Sequence, residues 1–159
     1  MTQEQKEALL KEVEKLHNRN LLAATVGPDY YEPGMMEYLD KSEGVYDEDT
    51  GFLLLRFESR GTRYDGRTEQ IEKVKLDDIV LITRDRENEY NHNNFLLLTE
   101  KQHDIGCMPA ELCNVIAPLF DEGSLLIKET RVSYVEPISK RNRHAKQAVL
   151  FVEMKAELK

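Results

Sequence analysis

Residues 84–94 read RDRENEYNHNN and form the most polar segment of the chain. This polar segment lies between two strongly apolar ones, DDIVLIT at 77–83 and FLLLT at 95–99. Short apolar runs bounded by polar segments are typical of buried β-strands. The pattern therefore predicts two buried strands joined by a polar loop that carries a single tyrosine, Tyr90, near its middle.

Outward from this loop, the chain after Gly51 predicts a small β-rich domain with one internal helix. Strands are predicted over 52–60, 75–84, 94–100, 124–136 and 146–158, with a turn into another short strand over 101–106. The predicted helix, 109–120, has Pro109 in its first turn and apolar residues three or four apart. Strands at this density with a single helix indicate a closed or half-closed barrel.

The first 50 residues predict a helical and acidic extension to this domain. Residues 2–18 have the pattern of an amphipathic helix with a capping box at Thr2 and Gln5. Further predictions are a loop over 26–34, a short helical turn over 35–41 and an acidic turn over 43–51. The helix stripe of Leu9, Val13 and Leu16 has two possible uses: packing on the domain, or contacting a second copy or a partner.

The length of the chain, its apolar segments and its cysteines limit the class of protein that it can be. The 159 residues suit one domain with an extension, and no segment approaches the ~20 apolar residues of a membrane helix. The N-terminus does not resemble a signal peptide, so a soluble, cytoplasmic protein is expected. In that compartment Cys107 and Cys113 are expected to be free thiols, and their spacing does not suit zinc. We expect no metal and no cofactor.

Charge is distributed unevenly along the chain. The net charge is −8, and residues 1–55 hold 12 acidic and 5 basic side chains, so that residues 56–159 are close to neutral. Within that second part the basic residues cluster in two places: Arg56, Arg60, Arg63 and Arg67, and then Lys140, Arg141, Arg143 and Lys146. Two small positive patches suit a short or terminal piece of nucleic acid better than a long duplex.

Four segments resemble the signature of the HIRAN domain. Arg84-Asp85-x-x-Asn88-x-Tyr90-Asn91-x-Asn93 is similar to the family's Arg-acid-Pro-x-Asn-x-Tyr-Asp-x-Asn-Ala-Ile. Residues 61–64 are similar to its Gly-x-x-Tyr, residues 105–109 to its Ile-Gly-Tyr-Leu-Pro, and residues 117–123 to its Ala-x-Leu-Leu-Asp-x-Gly. The resemblance covers residues 52–158, about two thirds of the chain, and is closest to the stand-alone bacterial members.

The resemblance implies an α+β, mainly β fold: a small six-stranded OB-like barrel with two short helices over residues 51–159, preceded by the amphipathic helix within residues 1–50. It also implies a recognition module, found alone or fused to ATPases that remodel replication forks, with a role in DNA repair. The best understood type binds single-stranded DNA at a free 3′ end. Two tyrosines hold the terminal base, basic residues hold phosphates, and an aspartate reads the 3′-hydroxyl.

Carried over to this chain, the resemblance assigns nucleic-acid-binding roles to seven residues. They are Arg63, Tyr64, Arg84, Asn88, Tyr90, Asn91 and Asn93. Three departures from the pattern matter: Asn91 replaces the aspartate, Cys107 an aromatic residue or histidine, and Asp65 a second tyrosine. Arg86 and Glu89 also replace the usual prolines. An amide does not repel a phosphate as a carboxylate does, so Asn91 predicts weaker discrimination of a 3′-hydroxyl from a 3′-phosphate.

The residues alone support the same kind of site but leave alternatives open. Tyrosines can stack bases for about 1–3 kcal/mol each, arginines can meet phosphates, and asparagines can donate and accept hydrogen bonds. Tyr90 could equally cap the barrel, and Asn88 and Asn93 could hold a turn. Arg84 could be paired with Asp85 or Glu111.

The sequence offers no catalytic set. It contains no glycine-rich phosphate loop, no Walker-type motif and no HExxH, so the chain is expected to bind rather than to catalyse. The predicted function is a nucleic-acid-binding module for single-stranded DNA or its 3′ end. The alternative is a protein-interaction or homo-oligomerisation module, in which the barrel is a scaffold and residues 1–20 make the contact.

Overall fold

The computed structural model describes residues 1–26, 34–141 and 145–159. Its helices are α1 (Gln3–Val26), α2 (Gly34–Asp40), α3 (Arg67–Ile71) and α4 (Ala110–Asp121), with a short 3-10 turn at Ile138–Lys140. Its strands are β1 (Val45–Asp47), β2 (Phe52–Glu58), β3 (Val80–Arg84), β4 (Phe95–Thr99), β5 (Asp104–Cys107), β6 (Leu125–Glu136) and β7 (Val149–Leu158). No helix in these described ranges is long and apolar enough to cross a bilayer.

The strands form two antiparallel sheets, in the orders β1-β2-β7-β6 and β3-β4-β5. Two isolated bridges join the sheets, one between Arg60 and Cys107 and the other between Ile79 and Arg131. The predicted six-stranded barrel is thus corrected to seven strands in two sheets. The sheets meet at two corners, and at each corner a single pair of residues bridges them. No continuous ladder of hydrogen bonds therefore runs from one sheet to the other at these corners.

Close approach at the first corner depends on Gly106. This glycine has φ +123°, and a Cβ atom placed on it would lie 1.9 Å from Ser59 Oγ and 2.9 Å from the Arg60 carbonyl oxygen. Only a residue without a side chain fits this conformation and spacing. At this corner the Ser59 hydroxyl donates a hydrogen bond to the Ile105 carbonyl at 2.8 Å.

The predicted strands are present because their aliphatic runs are buried, although β3 begins at Val80 and not at residue 75, and β7 at Val149 and not at residue 146. In β2, Leu53, Leu55 and Phe57 are buried while the residues between them are half-buried, as a period of two requires. Strand β1 was missed because its three residues lie in a segment that the sequence reads as an acidic turn. Helix α3 was missed because it is one turn long, with Ile71 as its single buried residue.

Helix α1 belongs to the same core. The predicted capping box is present: Gln5 N donates to Thr2 Oγ1 at 3.0 Å, and Thr2 N donates to Gln5 Oε1 at 2.9 Å. Leu9, Val13 and Leu16 are buried in the cluster that contains the sheet residues and α4. The stripe therefore packs within the chain, although the division at residue 50 stays a prediction.

The helix ends later than the predicted residue 18. Asn18, Arg19 and Asn20 suggest an end, but Arg19 pairs with Glu12 at 3.0 Å and Leu21 packs on a second apolar cluster. That cluster contains buried residues of α2 and β7: Met35, Leu39, Val149 and Phe151. Tertiary packing thus extends the helix beyond its polar segment.

Two predictions fall outside the described residues. They are the loop over 26–34, almost all of it, and the part of the second basic cluster that contains Arg143.

Candidate nucleic-acid interface

A groove opens at the corner where the two sheets meet. Its volume is ≈ 770 Å³. Four segments line it: the turn after β2, the polar loop between β3 and β4, the end of β5 and the start of α4. Three of the four predicted signature segments contribute lining residues to this groove, and the fourth, residues 117–123, does not.

Two tyrosines line this groove from different segments. Tyr64 follows β2 and is 59% exposed, whereas Tyr90 comes from the polar loop and is 89% exposed. The guanidinium carbon of Arg63 lies 5.3 Å from the centre of the Tyr64 ring. A hydrogen bond with Glu89, and the negative charge of that residue, raise the pKa of Tyr90. Tyr90 does not cap a core, so its ring is available to a ligand.

Asn88 organises the polar loop. Its Oδ1 accepts hydrogen bonds from the backbone N–H groups of Tyr90 and Asn91, both at 3.0 Å. Its Nδ2 donates to Asp85 Oδ2 at 3.2 Å, and the same oxygen accepts from Asn94 Nδ2 at 3.0 Å. These contacts match the turn-holding alternative for Asn88. Both of its polar groups are engaged within the loop.

Asn91 and Asn93 are tied to helix α4. Asn91 Oδ1 accepts from the Asn93 backbone N–H at 3.0 Å, and its Nδ2 donates to Asn114 Oδ1 at 3.1 Å. Asn93 Nδ2 donates to the same oxygen at 3.3 Å. Asn91 lines the groove, but Asn93 does not. The geometry gives the amides a part in holding the loop.

Arg84 lies outside the groove and is 7% exposed at its side chain. Its Nε and Nη2 donate to the two carboxylate oxygens of Asp121, each at 3.1 Å. Its Nη1 donates to the carbonyls of His92 and Asn94. The predicted partners, Asp85 and Glu111, are thus replaced by Asp121. In this position Arg84 ties the two ends of the loop to α4.

The groove carries mixed charge. Arg67 lines it, but its Nε donates to Asp104 Oδ1 at 2.8 Å and its Nη1 to the Gly61 carbonyl at 3.1 Å. Arg60 is exposed and has no side-chain partner among the described residues. Three acidic side chains also line the groove: Asp65, Glu89 and Glu111. Arg63 lies beside Tyr64 but is not itself a lining residue.

Sequence reasoning missed several lining residues. Arg60 and Arg67 were recognised only as parts of a basic cluster, and Asn94 and Glu111 carried no signal of their own. Asn94 Nδ2 lies 3.4 Å from Cys107 Sγ in the groove. Cys107 is half-buried and Cys113 buried, and both are free thiols. In the described part of the chain, no three His, Cys, Asp or Glu side chains could together hold a metal ion.

Two further members of the basic clusters, Arg56 and Arg141, have partners of their own. Arg56 pairs with Glu153 at 2.8 Å across β2 and β7. Arg141 Nη1 donates to the Gln147 carbonyl at 2.5 Å. Neither residue lines the groove.

Comparison with known proteins gives the fold independent support. A protein from Lactobacillus plantarum is 18% identical, with a TM-score of 0.52 over 67% of this chain and 99% of that chain. The HIRAN domain of human HLTF is 20% identical in its crystal structure, with a TM-score of 0.49 over 67% of this chain and 77% of that chain. Its DNA-bound conformation is 22% identical, with a TM-score of 0.45 over 67% and 75%.

No curated protein matches this chain. The family model of the HIRAN domain, in contrast, matches residues 52–149, which is more than half of the sequence. The matched range contains the whole three-stranded sheet, part of the four-stranded sheet, the polar loop and every residue that lines the groove. The chain therefore belongs to the HIRAN domain family.

Proposed function

We propose that this chain is a nucleic-acid-binding module that receives the end of a single-stranded DNA in the groove. The observation that carries the proposal is the pair of largely exposed tyrosines, Tyr64 and Tyr90, lining one groove. A base stacked on a tyrosine ring contributes about 1–3 kcal/mol, and stacking tolerates any sequence. Family membership supports the proposal, since the HIRAN domain of human HLTF has a DNA-bound conformation.

The seven predicted residues take different parts in this proposal. Tyr64 and Tyr90 stack bases, while Arg63, together with the newly found Arg60, meets backbone phosphate. Arg84, Asn88 and Asn93 hold the loop that presents Tyr90. Asn91 lines the groove and keeps one amide hydrogen bond to Asn114.

The groove favours a strand that ends in a hydroxyl. Asn91 by itself predicts weak discrimination against a terminal phosphate. Asp65, Glu89 and Glu111 add three carboxylates to the same groove, and like charges repel a terminal phosphate. We therefore infer that these three residues, and not position 91, set the preference for the end.

The test is fluorescence anisotropy with 5′-labelled single strands ending in a 3′-hydroxyl or a 3′-phosphate, at low salt. Tyr64→Ala and Tyr90→Ala are each expected to weaken binding about 5- to 100-fold. Leu76→Ala, which truncates an apolar side chain that is 60% exposed outside the groove, is the matched control and is expected to change nothing. Equal affinity of wild type and both tyrosine variants would remove the proposed site.

The same assay tests which end of the strand is bound and which chemical group that end must carry. A strand with its 3′ end blocked by a hairpin is expected to bind weakly, and a free 5′ end alone is not expected to suffice. Substitution of Glu89 and Glu111 by Gln is expected to raise the affinity for the 3′-phosphate strand. Tighter binding of the phosphate strand to wild type would contradict the inferred role of the carboxylates.

A further inference from the structure

The groove contains too little uncommitted positive charge to hold the backbone of a strand. Among its described lining residues, Arg67 is committed to Asp104 and to a backbone carbonyl, which leaves Arg60 to face three carboxylates. Single-stranded DNA carries one negative charge for each nucleotide, and its affinity depends on cations that meet those phosphates. The groove therefore suits the terminal nucleotide, and the rest of the strand needs cations elsewhere.

A second cavity of ≈ 430 Å³ supplies such cations. Buried valines and an isoleucine line it, among them Val74, Val80 and Ile105, together with three exposed lysines, Lys73, Lys75 and Lys101. The lysines outnumber the two carboxylates of the lining, those of Asp78 and Glu100.

The three ammonium groups are free to meet a ligand. None of them has a hydrogen bond or an ion pair to any part of the chain that the structure describes. Asp78 Oδ2 accepts the Lys75 backbone N–H at 2.9 Å and keeps its negative charge. The described lining of the cavity therefore holds three positive and two negative side chains, whereas that of the groove holds two positive and three negative ones.

The same two elements wall both sites. In β5, Ile105 lines the cavity and Cys107 lines the groove. These two residues are at most about 7 Å apart along the chain, and a register shift in the ladder between β4 and β5 falls beside Ile105. In α3, Arg67 lines the groove and Gln70 lines the cavity, and residues three apart share a helix face. Lys73, in the turn that follows α3, also lines the cavity. The groove and the cavity therefore lie next to each other on these two elements.

We propose that this lysine-lined cavity is the path by which the strand leaves the groove. The lysines meet backbone phosphates, while the apolar floor accepts a sugar or a base edge. The inference rests on the proposed function of the groove and extends it, because it gives the bound strand a direction, from Tyr64 and Tyr90 across α3 and β5 towards Lys73 and Lys101.

Strand length separates the two sites. A 5′-labelled trinucleotide tests the groove, whereas a strand of about ten nucleotides tests the groove and the cavity together. The variant is Lys73→Ala with Lys101→Ala. The control is Lys11→Ala with Lys15→Ala, which removes the same charge from two exposed lysines of α1. Thermal melting of all forms checks that each variant folds.

The cavity variant is expected to bind the long strand about tenfold more weakly at low salt and to bind the trinucleotide like wild type. The slope of log affinity against log salt is expected to fall by about 1.4, since each phosphate contact on a single strand contributes about 0.7. An unchanged affinity for the long strand, or an equal loss in the control, would overturn the path while leaving the groove intact. Failure of wild type to bind either strand would remove the groove, and the path with it.

Discussion

Arg84 and Asp121 form a two-point ion pair that joins the last residue of β3 to the last residue of α4. Both distances between nitrogen and oxygen are 3.1 Å. The two residues are 37 positions apart in the sequence. The same guanidinium also donates to the carbonyls of His92 and Asn94. One side chain therefore fixes the two ends of the polar loop and the helix beside it.

Replacing Arg84 by lysine keeps the charge and removes the fork that makes this contact. A lysine is a point charge and cannot satisfy a carboxylate and two carbonyls together. Arg84→Lys is expected to lower the free energy of unfolding by about 1–3 kcal/mol in urea denaturation. Arg131→Lys, at an exposed pair with Glu129, is the control and should stay within about 0.5 kcal/mol. A larger effect at Arg131 would contradict this account.

The same pair makes stability depend on pH. The hydrogen bonds from Arg84, followed by the charges of Arg84 and Arg86, lower the pKa of Asp121. A lowered pKa in the folded state gives stability that is present above the unfolded value of about 3.9 and is lost as the pH falls below it. Wild type is therefore expected to lose more stability between about pH 4 and pH 2 than Asp121→Asn does. Parallel curves of melting temperature against pH for the two proteins would refute this.

Tyr38 makes the stability of the fold depend on pH in the alkaline range. Burial raises its pKa to about 12, although a hydrogen bond with Ser133 at 2.5 Å acts in the other direction. The folded state therefore holds the phenol proton more tightly than the unfolded state, whose value is about 10. Stability is expected to fall as the pH rises from about 10 towards 12, and less steeply in Tyr38→Phe. Ultraviolet titration of phenolate absorbance should show one tyrosine fewer at high pH in that variant.

Two glycines with positive φ angles should respond differently to alanine. At Gly106 a Cβ atom would overlap Ser59, and we expect a loss of about 3 kcal/mol or more. At Gly123, with φ +82°, a Cβ atom meets nothing within 4 Å, so only the left-handed backbone costs energy, about 1–2 kcal/mol. Chemical denaturation of both variants checks the difference. Equal losses would show that the corner between the sheets can relax.

Leu9 tests whether α1 is part of the folded domain. It is fully buried in the main core, and Leu9→Ala is expected to cost about 2–5 kcal/mol. Leu22, which is 62% exposed on the same helix, is the matched control and should lose less than 1 kcal/mol on truncation. If Leu9→Ala instead left stability unchanged and altered only the oligomeric state, the helix would be a partner contact.

The sequence predicted the parts of the fold that depend on local pattern. Strands β2, β4 and β7 follow from their aliphatic runs, and the start of α1 follows from the reciprocal bonds of Thr2 and Gln5. The prediction failed where contacts between residues remote in the sequence determine the secondary structure. The second apolar cluster carries α1 past residue 18, and pairing with β2 makes a strand of Val45–Asp47.

The candidate site was predictable to the same degree. Tyr64 and Tyr90 were found because the motif marks them, and both line the groove. The ion pair of Arg84 with Asp121 could not be predicted, because Asp121 is remote in the sequence and nothing local distinguishes it from other acidic residues. Arg60 was hidden in a similar way, since only the corner bridge to Cys107 brings it to the groove.

The hydrogen bonds within the polar loop have a thermodynamic consequence for any ligand. Asn88 and Asn114 hold the backbone and side chains around Tyr90 before anything is bound. Conformational entropy at this loop is thus lost when the chain folds and not when it binds. If the proposed DNA strand binds here, the entropic cost of association falls on that flexible strand, and stiffening it in the bound conformation is expected to strengthen binding.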